Sequence, residues 1–374
     1  MKVLRKIGVP ILMVLFLTIG VSFGQSAIDD NYYKGVEYGT QGNFKNAKIE
    51  FGKVLKDVPS YRPAIRSLKV IEDVIAHNIK RETAIHFLNG MASFNKGKID
   101  EAITEINWAI EFDLDYALLY VELGIFYTRI NEYDQAISNY TIAIEINPRL
   151  AEAYNNRGNI FSKHGLYDLA IADLNKAIEI NPKSAESYYN RGLLAYAQGG
   201  DQYNQAISDY SRAIEINPRF ADAYYYRGMV YQVKGQYDEA IADYNKAIEI
   251  NSKFDDAYNS RGLAYAQGKG QYDQAISDYN RAIEINPKSA DAYNNRGSAY
   301  AQDKGQSDQA ISDYNKAIEI NPEYAEAYNN RAIAYFFKRE YDKAWDDVNK
   351  AKELGSQVHP GFLKALREAL GRER

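Results

Sequence analysis

The chain has 374 residues, 45 Lys and Arg against 50 Asp and Glu, a formal net charge of −5 and no Cys. Mild acidity argues against nucleic acid or an anionic membrane surface as its main partner. Without Cys there is no disulfide framework, thiol nucleophile or thiolate metal site, so a stable fold has to come from a large packed core.

The chain opens with Lys2, Arg5 and Lys6, followed by an almost wholly apolar run from Ile7 to Val21 and a small-x-small site at Ser22-Phe23-Gly24. That pattern predicts a signal peptide over 1–24, a mature chain from Gln25, and export to a bacterial periplasm or medium. The alternative is an uncleaved membrane anchor, although the run is short for a span and carries Gly8, Pro10 and Gly20. Removing three positive charges and no negative one takes the net charge from −5 to −8.

Residues 25–61 read as a degenerate first copy of a repeat that becomes regular downstream, keeping Gly35, Tyr38, Gly42, Phe44, Ala47, Phe51 and Pro59 at its spacing. The register then breaks. Arg62 to Asn78 is expected to form an extra helix with Ile65, Leu68, Ile71 and Ile75 on one face and no partner in phase. The segment 62–82 reads as a joint and as the one candidate domain boundary. Eight tandem units follow over 83–358: 83–116, 117–150, 151–184, 185–220, 221–254, 255–289, 290–324 and 325–358. Three of them carry extra residues, around Gln198-Gly199-Gly200-Asp201, Gln267-Gly268-Lys269-Gly270 and Gln302-Asp303-Lys304-Gly305. These insertions are expected to lengthen the turn between a unit's two helices. Residues 359–374 form an end helix and tail, with Phe362, Leu363, Leu366 and Leu370 on one stripe and Trp345, Phe336 and Phe337 expected against it.

The unit 151–184 shows how one copy works. Tyr154, Gly158 and Phe161 share a face of a first helix over Ala151 to Lys163. His164-Gly165 breaks it, and a second helix presents Ala170, Leu174, Ala177 and Ile180 before Asn181-Pro182 stops it. A period of this size means a helical repeat array. The spacing resembles the tetratricopeptide repeat, and returns in Tyr258, Gly262, Tyr265, Ala275, Tyr279, Ala282 and Pro287. The family's Trp is Tyr here, and its Leu before the Gly is mostly Arg. The resemblance implies an all-α, right-handed superhelical solenoid of antiparallel helix pairs, nine units in all, closed by a C-terminal capping helix.

Tandem copies also compare themselves. Arg157, Arg191, Arg227, Arg261, Arg296 and Arg331 stand at the seventh position of six units. The second helices of the same six units carry Asp173, Asp209, Asp243, Asp278, Asp313 and Asp347. Where Leu123 replaces the Arg, Asn139 replaces the Asp. This predicts a structural ion pair within a unit or with its neighbour; the other reading of the Arg row is a basic stripe for an anionic ligand.

The resemblance places a concave binding face on the first helices. There the chain carries Asn155, Asn156, Asn159, Asn190, Asn259, Asn294, Asn295, Asn329 and Asn330, interrupted by Tyr189, Tyr225 and Tyr226. Asn is a poor helix former, but its amide can donate to and accept from a peptide backbone at once. Similarity to family members that use an Asn ladder implies an extended protein or peptide segment as partner. Duplication of a tolerated polar residue is the other explanation of the row, and packing between first helices the other explanation of the tyrosines. Glu152, Glu186, Asp222, Asp256, Asp291 and Glu326 form an acidic edge at the second position, suited to a basic segment or to solubility alone. The Lys/Arg clamp by which some relatives hold a C-terminal carboxylate is not visible.

No catalytic constellation emerges. His77, His86, His164 and His359 are not at metal-ligand spacing, and no Gly-rich phosphate loop or Gly-x-Ser-x-Gly is present. The sequence therefore predicts a non-catalytic binding scaffold of the cell envelope, with no cofactor and no metal. The alternative is a structural or assembly subunit of a secretion- or pilus-type complex, acting through its convex face or by self-association.

Overall fold

The computed structural model describes residues 25–304 and 306–371; the segment 1–24, expected to be a signal peptide, lies outside them. Among the described residues the regular structure is helical, and no helix is long and apolar enough to cross a membrane. The chain divides into two compact units, one ending at Asn190 and the other starting at Arg191. The first contains α1 (Gln25–Thr40), α2 (Phe44–Asp57), α3 (Arg62–Ile75), α4 (Arg81–Asn95), α5 (Ile99–Phe112), α6 (Ala117–Arg129), α7 (Tyr133–Ile146), α8 (Ala151–Lys163), α9 (Tyr167–Ile180) and the start of α10 (Ala185–Gln198). The second runs through α11 (Tyr203–Ile216), α12 (Ala221–Val233), α13 (Tyr237–Ile250), α14 (Asp255–Lys269), α15 (Tyr272–Ile285), α16 (Ala290–Lys304), α17 (Ser307–Ile320), α18 (Ala325–Phe337), α19 (Tyr341–Glu353) and α20 (Pro360–Ala369).

Within each unit the helices form antiparallel hairpins, and the second helix of one hairpin packs on the first helix of the next. Local chemistry sets the ends. Gly165 adopts φ 73° after α8, letting its N–H reach the Ser162 carbonyl and the Leu166 N–H reach Phe161. After the second helices, the Asn181 side chain accepts from the Lys183 N–H at 3.1 Å. Asn251, followed by Ser252 rather than Pro, makes the same turn at 3.1 Å to Lys253. The Asn side chain therefore builds this turn, and Pro is dispensable to it.

The hairpin core is a small residue on the first helix under a large one on the second. At Gly262 an added Cβ would lie 2.8 Å from a Tyr279 ring carbon and 3.1 Å from the Ala275 carbonyl. In α18 the same position is Ala332, and the ring opposite is replaced by the smaller Val348. Both residues of the contact change together, as close packing requires.

Two expectations are revised. The extra residues near 267 and 302 continue the first helix instead of lengthening a turn: α14 and α16 have 15 residues where α8 and α12 have 13. Ala and Gln carry the helix forward, Gly268 lies where any side chain would meet the Tyr237 ring, and Gly270 at φ 61° ends it. Around 200 the extra residues form a short 3-10 turn, Gly200–Gln202. Second, α3 is neither unpartnered nor a boundary. It packs on α1, α2 and α4 inside the first unit. Its buried apolar side chains are Ala64, Val70, Ile71 and Val74, whereas Ile65 and Ile75 are exposed. At the other end, α20 places Phe362 5.5 Å from Phe336 edge-to-face, beside Trp345 and Leu366; Phe337 points outward at 73% exposure.

The Gly262 contact yields a direct test. Gly262→Ala gains helix propensity but overpacks against Tyr279, with an expected net cost of about 1–2 kcal/mol in denaturant unfolding. Adding Tyr279→Val, which reproduces the Ala332–Val348 contact, is expected to recover part of that loss.

Candidate interaction surface

The arginine and aspartate rows meet inside the six repeats that carry them. Arg261 Nε and Nη2 donate to the two Asp278 oxygens at 2.8 and 2.5 Å, a planar fork on a carboxylate. Arg157–Asp173, Arg191–Asp209, Arg227–Asp243, Arg296–Asp313 and Arg331–Asp347 repeat it. The third nitrogen reaches back to the preceding repeat: Arg157 to Thr141, Arg227 to Ser211, Arg261 to Asn245, Arg296 to Asn280 and Arg331 to Asn315. The guanidinium of Arg296 lies over the Tyr293 and Tyr300 rings, and Arg331 over Tyr328 and Tyr335. With Asp278 side-chain exposure at 8% and that of Arg261 at 17%, these groups are structural and not available as a basic stripe for a ligand.

The asparagine row is also internally bonded. Asn190 donates to Asn155 at 3.1 Å, Asn295 to Asn259 at 3.1 Å and Asn330 to Asn294 at 3.0 Å. Each rung runs from the sixth position of one first helix to the fifth of the one before. Asn155 also donates to Asn156 at 3.3 Å, and Asn294 is buried at 1% exposure. Asn159 and Asn329 are half-buried on the same helices, and the Asn329 side-chain oxygen has no hydrogen-bond partner. Tyr189 is buried. Tyr225 packs on Tyr226, Tyr244 and Phe254, and burial pushes the Tyr226 hydroxyl up to about 12. The amides thus knit neighbouring first helices together, and the tyrosines fill the space between them.

In the first unit this face holds α3. Arg62 and Arg66 lie one turn apart on its polar stripe. Arg66 donates to Glu122 at 2.9 Å and to Glu152; Arg62 donates to Glu186 at 2.6 Å and lies 3.9 Å from Glu152. Further along, Tyr116 donates to Asp73 at 2.6 Å, fixing the other end. Between α3 and α8 remains a cavity of about 250 Å³, lined by Arg62, Arg66, Glu152, Asn155, Ser184 and Ser187 among others. Glu122 is fully buried, and one of its oxygens has no hydrogen-bond partner. Desolvation pushes its carboxyl up to about 7 against the pull of the Arg66 guanidinium, and the Glu152 charge adds to the rise.

Sequence reading singled out the acidic edge but not Arg62, Arg66 or Glu122 as its partners. The available signal was a pair of arginines one turn apart in the only segment out of register, together with a Glu at a sixth position that in the six units after it carries Asn, Ser or Tyr. Among the described residues no group of three or more His, Asp or Glu is placed to hold a metal ion.

Two family models match the chain. One described as TPR repeat matches residues 126–165, 158–199, 200–235, 269–304 and 303–337; the other, tetratricopeptide repeat, matches 221–254. No curated protein matches it significantly. Among solved structures, pilF of Pseudomonas aeruginosa is 19% identical, covering 58% of this chain and 96% of its own, with a TM-score of 0.52. PilW, a type IV pilus biogenesis factor, is 20% identical over 56% of this chain and 96% of its own, with a TM-score of 0.51. A tetratricopeptide repeat protein from Parabacteroides merdae is 20% identical over 68% of this chain and 99% of its own, also at 0.51. At these identities the likeness is one of fold.

Two measurements test the site. Asp278→Ala leaves the Arg261 guanidinium half-desolvated without its fork, at an expected cost of about 3 kcal/mol; adding Arg261→Met is expected to recover part of it. For Glu122 the folded-state pKa is raised, so its stabilising contribution is complete below the unfolded pKa and is lost as pH rises toward about 7. Glu122→Gln is therefore expected to gain stability over wild type more at pH 8 than at pH 5, read by paired melting curves. A pH-independent difference would refute the assignment.

Proposed function

Since this chain belongs to the tetratricopeptide repeat family of protein-interaction scaffolds, we propose that it binds an extended protein or peptide segment along the face of its first helices, outside the cytoplasm. No catalytic step, cofactor or nucleic acid enters this reading.

The observation that carries it is α3. In the first unit, a segment foreign to the repeat pattern lies on this face and is held by Arg62 and Arg66 through Glu122, Glu152 and Glu186. The chain itself thus supplies one example of what the face can accept. In the second unit the corresponding residues of α14, α16 and α18 form the amide rungs Asn259–Asn295 and Asn294–Asn330. An amide bonded on one side keeps further donor or acceptor capacity for a peptide backbone. Export rests on the basic start, apolar run and small-x-small site of residues 1–24.

Affinity capture from native envelope extract tests the reading. Wild type is compared with a variant carrying Asn156→Ala, Asn190→Ala, Asn295→Ala and Asn330→Ala, with melting curves as the control for the lost rungs. A protein partner present with wild type and absent with the folded variant is expected. Partners retained unchanged would move binding to the second helices or the repeat edges. Mass spectrometry of the native chain in the same extract is expected to find Gln25 at its N-terminus; an intact chain from Met1 would overturn the cleavage.

A further inference from the structure

The second unit carries carboxylates that no Lys or Arg of the described residues pairs with. Asp222, Asp256, Asp291 and Glu326 hold the second position of α12, α14, α16 and α18, and among the described residues no Lys or Arg pairs with any of them. Their neighbours compound the imbalance. Asp256 is half-buried, and its carboxyl is pushed up to about 6, first by desolvation and then by the charges of Asp255 and Asp291. Glu326 is raised by desolvation and by Asp291. Asp291 accepts a hydrogen bond from the Tyr324 hydroxyl at 2.6 Å, a neutral donor that leaves the charge in place.

The first unit shows what this repeat position binds. Glu152 and Glu186 occupy the second position of α8 and α10, and both receive arginine from α3: Arg62 on Glu186 at 2.6 Å, Arg66 on Glu152. The two arginines are four residues apart on one helix, a rise of about 6 Å. Their long side chains make up the remainder of the roughly 8–10 Å between packed helices. A guanidinium suits the task better than an ammonium, because its planar fork can serve carboxylates from two helices at once.

We propose that Asp256, Asp291 and Glu326 form a docking row for a helical segment of a partner protein carrying arginines one turn apart, seated as α3 is seated on Glu152 and Glu186. This rests on the reading of the first-helix face as the binding surface and adds the partner's chemistry to it. The amide rungs beside the row set the depth at which the segment lies, and the carboxylates set its charge and spacing.

The test uses the whole chain and a defined probe: a fluorescently labelled, alanine-based helical peptide with arginines at four-residue spacing. A copy with Gln in place of Arg and a copy with the arginines two residues apart serve as controls. Saturable binding of the first peptide only is expected. Asp256→Asn, Asp291→Asn and Glu326→Gln together are expected to weaken it at least about tenfold, as loss of the charged partner of a desolvated pair does. That variant should melt no lower than wild type, because it removes like-charge repulsion. Glu152→Gln with Glu186→Gln, where α3 already sits, is expected to leave the peptide affinity unchanged.

Absence of saturable binding, equal affinity for the neutralised variant, equal affinity for the two-residue spacing, or loss of binding in the Glu152/Glu186 variant would each overturn the proposal. If the asparagine variant loses its captured partner while the arginine peptide does not bind, the face stands as a binding surface and only the arginine chemistry falls.

Discussion

A buried fork between one guanidinium and one carboxylate, written into six of the repeats, is the constraint around which those hairpins are built. Neither charge is cheap to remove from water, and such a pair persists only when every polar atom is placed. Here the placement is complete. Two nitrogens of Arg296 hold Asp313, the third holds Asn280 of the preceding repeat, and the Tyr293 and Tyr300 rings flank the cation. One side chain therefore fixes three helices: its own, its hairpin partner and the second helix before it. The choice of Tyr at these core positions follows from the same requirement, since an aromatic face is both apolar filling and a surface for a cation.

Against that period, α3 stands out. Its polar stripe satisfies carboxylates of successive first helices, and its apolar stripe closes the core beneath α1, α2 and α4. The repeat positions are thus used in two ways by one chain. In the first unit the acidic position is neutralised internally and a buried Glu122 is held by Arg66; in the second unit the same position is left charged. The contrast carries more functional information than any single side chain, because the surrounding scaffold is nearly the same in both.

What could be read from the sequence divides along a physical line. The helix pairs were legible because their determinants are local: Tyr154, Gly158 and Phe161 at helical spacing, Gly165 at a left-handed turn, Asn181 at the stop. The Arg–Asp fork was legible because tandem copies preserve or lose both members together, as Leu123 and Asn139 do. The docking of α3 was not, since it joins Arg62 to Glu186 across 124 positions with no repeating pattern. Nor was the pairing of the asparagines, because whether Asn330 meets Asn294 or solvent depends on the distance between two helices, which one helix's sequence does not state. The extra residues near 267 and 302 were misplaced for a related reason: in a short insertion, Ala, Gln and Lys extend a helix as readily as Gly ends one.

The guanidinium and asparagine-rung bonds between successive repeats point the same way. Arg261 reaches back to Asn245, Arg331 to Asn315, Asn295 to Asn259 and Asn330 to Asn294. In these bonds each repeat supplies the donors and its predecessor the acceptors. A hairpin folding onto an N-terminal neighbour finds its acceptors already in place, whereas one folding first would hold a guanidinium nitrogen with nothing to receive it. These bonds thus bias a repeat to settle on a finished N-terminal neighbour, whereas α3 runs the other way, its Arg62 and Arg66 completed only by Glu122, Glu152 and Glu186 far downstream.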